Sequence, residues 1–331
     1  MNPAETQAKK PLKLGSGVLQ QLLAFTSLIV LILVFSFASE NFFQFSNIVG
    51  ILLSTAVIGV LALGSTFVII TGGIDLSVGT VMTLSAVMTG VFITFWDLPV
   101  PIGVLGGVLT GALCGFLSGT LVAKLKIMPF IATLAVMMIA KGLALVISGT
   151  KPIYFNDDPA FRNIAQASLL GDLIPGFKIP NAVLIFFAAA IVAGIILSRT
   201  IIGRYNFALG SNEEATRLSG VNVNFWKIVI YTITGLFTGL AGVLIASRLN
   251  SAQPALGSGY ELEAIAAVVI GGTSLSGGKG TIVGTVIGAL IMSVLTNGLR
   301  ILSVPQEWQT VVVGLVILLA VYTDMMRRRK K

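Results

Sequence analysis

Residues 47–95 read NIVGILLSTAVIGVLALGSTFVIITGGIDLSVGTVMTLSAVMTGVFITF and carry one charged side chain, Asp75. Two apolar runs, 47–71 and 75–95, flank Gly72-Gly73-Ile74. A bilayer-spanning helix needs about 20 mostly apolar residues, so each run is long enough to cross. Neither run alternates apolar and polar residues with the period of two that marks a transmembrane barrel. The fold class that follows is all-α: a polytopic transmembrane helical bundle.

The same texture extends in both directions. Further apolar segments lie at 18–38, 101–123, 129–148, 180–198, 225–247, 260–275, 281–303 and 308–325, giving an expectation of ten spans. The chain of 331 residues is 55% hydrophobic and 10% charged, against about 25% charged in soluble domains. Its mean hydropathy is +0.98. So few charges cannot cover a soluble globule, and the lipid bilayer is the implied surroundings. The first run exceeds the roughly 7–15 apolar residues of a signal peptide, so it is expected to be retained. Residues 1–17 then form an N-terminal tail, 18–325 one membrane domain, and 326–331 a basic tail.

Composition also excludes chemistry. The chain has no His, which removes imidazole acid–base work and most zinc and haem sites. The single Cys114 allows no disulfide and no paired redox site; it reads as a small packing residue. Gly272 to Gly280 is rich in glycine but lacks phosphate-loop spacing, and no Ser or Thr follows Lys279 to hold magnesium. The chain therefore does not hydrolyse ATP by itself. Its net charge of +8 fits the positive-inside bias of membrane proteins and not nucleic acid.

Ten spans place both termini on one side. With Lys9, Lys10, Lys13 and the basic cluster 327–331 inside, the inner loops add Lys124, Lys126, Arg199, Arg204, Arg217, Lys227 and Lys279, for 15 inside. Lys151, Arg162, Lys178, Arg248 and Arg300 make 5 outside, and Lys141 falls within the fifth span. Two connections are long: an outer loop, 149–179, which includes Asp157, Asp158 and Asp172, and an inner loop, 199–224.

An internal echo points to a duplicated element. Gly72-Gly73-Ile74-Asp75-Leu76-Ser77-Val78-Gly79 and Gly271-Gly272-Thr273-Ser274-Leu275-Ser276-Gly277-Gly278 agree at five of eight positions, each after a Val/Ile-rich run. Paired glycine-interrupted hydrophobic segments are the best sequence pointer to a transport path; close helix packing is the plain alternative. In the path reading, Gly73 and Gly272 turn the chain, while Ser77, Thr273, Ser274, Ser276 and Asn297 offer uncharged polar groups. Asn297 serves equally as interhelical glue. Asp75 caps the third span or, in the sharper reading, relays a proton.

The inner loop carries a second signal. Asn212 reads as an N-cap, Glu213 and Glu214 as first-turn acids, Ala215 to Ser219 as a short helix with Arg217, and Gly220 as its stop. A short rigid helix of this kind is either a lever for a soluble partner or an ordinary surface helix.

Here the sequence resembles a known family. Glu213-Glu214-Ala215 with Gly220 is similar to the EAA loop of ATP-binding-cassette importer permeases, although Glu214 stands where that loop has Ala. The segments 72–79, 212–224, Ser251-Ala252-Gln253-Pro254 and Tyr260 to Gly278 resemble the signatures of the ribose-type sugar permeases, from about residue 40 to the C-terminus. The resemblance implies a type II importer fold, a homodimer enclosing the pathway, and an ATPase subunit docked on the inner loops. A periplasmic sugar-binding protein would dock outside. ATP and magnesium would sit on the ATPase, with no cofactor on this chain. It also implies a bacterial inner membrane location with both termini cytoplasmic, and a monosaccharide cargo, ribose first, with xylose, other aldoses, inositol or autoinducer-2 as alternatives. A stand-alone secondary transporter or channel would need coupling-ion ligands, and an intramembrane enzyme would need a nucleophile with a base or a metal site. The central spans offer only Asp75 toward the first, and the chain has no His and no acidic pair at metal-ligand spacing for the second; Glu261 and Glu263 lie near the outer end of the eighth span and read as interface markers.

Overall fold

A computed structural model describes residues 16–155, 159–173 and 178–329. Lys9, Lys10, Lys13, Asp157, Asp158, Lys330 and Lys331 lie outside the described residues. The elements are α1 (Ser16–Ala38), α2 (Phe45–Ile70), α3 (Val78–Gly90), α4 (Val100–Ala123), α5 (Pro129–Ile147), β1 (Ile153–Tyr154), α6 (Pro159–Gln166) and α7 (Leu169–Leu173). They continue as α8 (Asn181–Arg199), α9 (Ile201–Ser211), α10 (Glu213–Leu218), α11 (Val223–Leu249), β2 (Ser251–Ala252), α12 (Tyr260–Ile270), α13 (Ile282–Ile301) and α14 (Gln306–Arg329). A π-helical turn, Val91–Phe95, extends α3. Proline opens α4 and α5, where its missing N–H has no helical partner to lose.

Among the described residues, eight helices are long and apolar enough to cross a membrane: α1, α2, α3 with its π turn, α4, α5, α8, α11 and α13. The expected eighth span, 260–275, is corrected. Its helix, α12, has 11 residues, about 16 Å at 1.5 Å per residue, roughly half the ~30 Å hydrocarbon core. It stops because Gly272 adopts φ +94°, a left-handed turn that glycine takes without a Cβ clash. The third span is also shorter than expected: residues 73–77 are not helical and α3 starts at Val78. The tenth run belongs to α14, in which Gln306–Tyr322 is the apolar part. The inner loop contains a further helix, α9, ahead of the short one read from the sequence.

The centre of the bundle is α2, whose residues 55–70 are all buried, packed against α11, α13, α8 and α12. The most extensively packed helix pair is α4 with α11. Gly103, Gly107, Gly111, Gly115 and Gly119 recur every fourth residue of α4 and line one face. A Cβ at Gly111 would lie 2.6 Å from Gly239 N and 2.7 Å from Gly239 Cα, and one at Gly115 would lie 3.0 Å from Gly235 Cα. Small residues let membrane helices pack backbone to backbone where lipid removes any hydrophobic drive between them.

The loops sort to two ends. β1 pairs antiparallel with β2, Ile153 opposite Ala252 and Tyr154 opposite Ser251, so the 149–179 loop and the α11–α12 connection share one end. At the other end Lys126 Nζ donates to Asn224 Oδ1 at 2.7 Å, joining the α4–α5 connection to the start of α11.

Candidate functional site

Both echoed segments end a helix in the same way. After α2, Gly72 N donates to Ile69 O at 2.9 Å and Gly73 N to Val68 O at 3.2 Å; after α12, Gly272 N donates to Val269 O at 2.9 Å and Thr273 N to Val268 O at 3.1 Å. Gly72 (φ +81°) and Gly272 (φ +94°) make the left-handed turns. The structural register is thus one residue away from the sequence echo: Gly72 matches Gly272, and Gly73 matches Thr273. Beyond that point the segments diverge. Residues 73–77 run without helical hydrogen bonding to α3, whereas 273–281 fold back through two more left-handed glycines, Gly277 (φ +82°) and Gly278 (φ +71°). The expected equivalence of Ser77 and Ser276 does not hold: Ser77 is buried and Ser276 is exposed.

The two breaks touch each other. Gly278 N donates to Ile70 O at 2.8 Å, which satisfies a carbonyl that the end of α2 leaves open. A Cβ on Gly277 would stand 2.9 Å from both Ile70 O and Gly72 N, and 2.8 Å from Gly210 O. Gly210 belongs to α9, immediately before Ser211 and the N-cap Asn212. A Cβ there would overlap Ile70 O and lie 2.6 Å from Gly278 N. Three segments far apart in sequence therefore meet through bare backbone, and the helix leading into the polar inner loop is one of them. Such irregular backbone is tolerated at membrane depth only where protein or a water-filled cavity satisfies it.

The 73–77 segment is held by side chains. Asp75 is buried, and its carboxylate accepts from Ser77 N at 2.8 Å and Ser77 Oγ at 2.6 Å. Ser77 occupies the N-cap position of α3 without a side-chain cap bond, so Asp75 braces the turn before the helix and does not cap its first turn. Thr133 Oγ1 accepts from Leu76 N at 3.2 Å, fixing the segment to α5. Gly73 faces Tyr231, whose hydroxyl would be 2.8 Å from a Cβ there and is buried with no hydrogen-bond partner among the described residues.

The remaining path candidates are dispersed. Thr273 is fully buried, and its Oγ1 lacks a partner among the described residues. Ser274 N donates to Lys279 O at 3.0 Å within the fold-back. Asn297 Nδ2 donates to Asn47 Oδ1 at 2.9 Å, which joins α13 to α2, as interhelical glue would. Among the described residues no cluster of three or more metal-ligating side chains exists.

The polar inner loop forms a braced helix. Asn212 Oδ1 accepts from Ala215 N at 2.9 Å, and Gly220 closes α10 at φ +83° with its N–H on Arg217 O at 3.0 Å. Glu213 pairs with Arg217 at 3.1 Å and with Lys227 of α11 at 2.6 Å, and Glu214 with Arg217 at 3.7 Å. The Lys227 pair ties α10 to the start of a central helix. Leu218, the last residue of α10, is 81% exposed. The sequence reading missed Gly210, Leu218, Lys227 and Tyr231. Leu218 had a legible signal, an apolar residue inside a polar capped helix; the other three are defined by contacts distant in the chain.

Comparison with known proteins supplies the family. A family model described as "Branched-chain amino acid transport system / permease component" matches residues 47–321. The chain is 45% identical over 310 residues to the ribose import permease protein RbsC of Bacillus subtilis, covering 93% of this chain and 94% of that protein. It is 43% identical over 301 residues to RbsC of Escherichia coli, covering 90% and 91%. It is 39% identical over 294 residues to the fructose import permease protein FrcC of Rhizobium meliloti, covering 87% and 80%. No solved structure gives a significant match. Eight membrane-length helices, paired helix breaks and a match over most of the chain converge: this protein belongs to that permease family and is a membrane-spanning transport subunit of an ATP-binding-cassette importer, not an enzyme.

Proposed function

We propose that this permease carries ribose across the bacterial inner membrane, with both termini cytoplasmic. The relatives named for ribose are 42–45% identical over at least nine-tenths of the chain, while those named for fructose and L-arabinose are 39–40% identical. Two copies form the pathway, an ATPase subunit binds the cytoplasmic face, and a periplasmic binding protein delivers the sugar to the face bearing β1 and β2. ATP and magnesium belong to the ATPase.

One observation carries the coupling assignment. α10 is a capped helix, tied to α11 through Glu213 and Lys227 and ending in the exposed Leu218. An apolar knob on a rigid polar helix suits a groove on a soluble subunit, because burial of a leucine side chain contributes roughly 1.5–3 kcal/mol. Asn212, Glu213, Glu214, Ala215, Arg217 and Gly220 build that helix. Behind it, α9 delivers Gly210 to the two helix breaks, so a displacement of the docked helix reaches residues 70–79 and 271–278 directly.

The test is reconstitution with the cognate ATPase and binding protein. Proteoliposomes should take up radiolabelled ribose only with ATP, and Leu218→Asp should abolish co-purification of the ATPase while the permease still inserts. Uptake of fructose or L-arabinose in place of ribose would overturn the cargo. Undiminished ATPase binding by Leu218→Asp would overturn the docking surface.

A further inference from the structure

At the end of the bundle away from α10, a cavity of about 450 Å³ opens among α2, α11, α12, α13 and α14. That volume lies within the ~300–1,000 Å³ range of small-molecule sites. Its polar wall includes Arg248, Glu263, Arg300, Tyr260 and Gln309, and its apolar wall includes Ile58. The guanidiniums come from the C-terminal ends of α11 and α13, and Glu263 from the first turn of α12. None of the echoed residues lines this cavity.

No salt bridge joins these charges, although Arg300 acts on Glu263 electrostatically at longer range. Among the described residues no carboxylate oxygen lies within 4.0 Å of an Arg248 or Arg300 nitrogen. Arg248 reaches Ser54 Oγ at 3.4 Å, longer than an ordinary N–H···O bond. The donor set then selects a ligand class. Arginine only donates, an ionised carboxylate only accepts, and Gln and Tyr do both. An anionic ligand, whether a lipid phosphate or an acidic side chain, would meet Glu263 as a like charge. A cation would meet two arginines. A hydroxyl group donates and accepts, so a neutral compound with several hydroxyls satisfies both kinds of group together, with its C–H face against the tyrosine ring and Ile58.

We propose that this cavity is a transient subsite for a neutral monosaccharide, in which Glu263, Arg248 and Arg300 hold hydroxyl groups of the incoming sugar. The inference rests on the sugar-importer reading and adds that the permease, besides its binding protein, contacts the cargo. A site on a transport path must release its ligand, so the binding is weak.

Two measurements test it. The full-length permease in nanodiscs, without partners, is examined by saturation-transfer-difference NMR with ribose, xylose, L-arabinose and fructose as probes. At least one sugar should give a signal, reduced at least fivefold in Glu263→Gln and in Arg300→Lys. Both changes conserve size closely, and thermal unfolding in the same nanodiscs verifies that each variant is folded. In the reconstituted importer the same variants should lower sugar uptake at least tenfold while keeping stimulation of the ATPase by loaded binding protein within twofold. No signal from any sugar with wild type, or equal signals in folded variants, overturns the proposal. Loss of ATPase stimulation together with uptake also overturns it, since the cavity would then be a socket for the binding protein. Uptake by the wild-type importer reports on the importer reading separately, so the two can fail independently.

Discussion

Gly210→Ala is the most direct perturbation of the junction between the inner helices and the two breaks. The added methyl would sit 2.6 Å from Gly278 N, about 0.9 Å inside the ~3.5 Å optimum for non-bonded heavy atoms. It would also overlap Ile70 O. Both neighbours are backbone, so no rotamer change relieves the clash and one of the three segments must move. Overpacking of this kind costs about 1–3 kcal/mol. Separating Ile70 O from Gly278 N, 2.8 Å apart, removes a hydrogen bond contributing about 1 kcal/mol. The expected penalty is therefore about 2–4 kcal/mol, enough to shift an equilibrium between two arrangements by roughly 30-fold or more. The assay is sugar-stimulated ATPase activity and uptake of the reconstituted importer, with thermal unfolding of the permease alongside. Gly142→Ala is the control, because nothing lies within 4 Å of a Cβ at Gly142. Gly210→Ala should lose most of the stimulation and of the uptake, and the control should match wild type. Wild-type stability, stimulation and uptake in Gly210→Ala would refute the close packing of α9 on the breaks and the route of coupling built on it.

Four further outcomes are expected. Asp75→Ala strands Ser77 N–H in a buried segment and should cost about 1–3 kcal/mol in thermal unfolding, with Asp75→Asn intermediate; equal stability of all three would remove the bracing role. Glu213→Lys places a like charge opposite Arg217 and Lys227 and should weaken ATPase co-purification without affecting insertion, checked by pull-down from solubilised membranes. Gly272→Leu forces a side chain into φ +94°, where a bulky residue is strongly disfavoured, and should reduce uptake; normal uptake would separate the breaks from transport. With single cysteines in a Cys114→Ala background, an impermeant thiol reagent should label the exposed position 151 in intact cells and the exposed position 326 only after permeabilisation, and the reverse pattern would invert the topology.

What the sequence settled by itself was what depends on local composition. Runs such as 47–71 must be helices, because a chain in lipid has to satisfy its backbone polar groups internally. The capped helix from Asn212 to Gly220 was legible because its stabilising contacts lie within a few residues, and the two breaks because paired glycines interrupt apolar runs, although the first left-handed turn falls at Gly72 and not at the expected Gly73. Span number was less secure: apolar content is the same for α12, which stops halfway, as for a helix that crosses, and hydropathy does not register where the helix ends. The echo was visible but its register was not. Thr71 and Gly271 occupy the same structural position, so the two Gly-Gly pairs align in the sequence one residue away from their match in space. Only the corresponding bonds to Val68 O and Val268 O reveal it.

Tertiary structure alone decided which residues act together. Ile70 and Gly210 are separated by 140 positions in the chain, and Gly210 and Gly278 by 68, yet the three form one backbone junction. Asn297 read equally as a path residue or as interhelical glue, and only the packing of α13 on α2 sets Asn47 opposite it. Arg248 and Arg300 counted in the sequence only as outer charges, and the cavity they share with Glu263 exists only because α11, α12 and α13 bring their ends together. The physical reason is the range of the forces involved. Helix formation and capping act over three or four residues and leave a mark in the sequence, whereas backbone contact between glycines and the lining of a cavity depend on how whole helices pack.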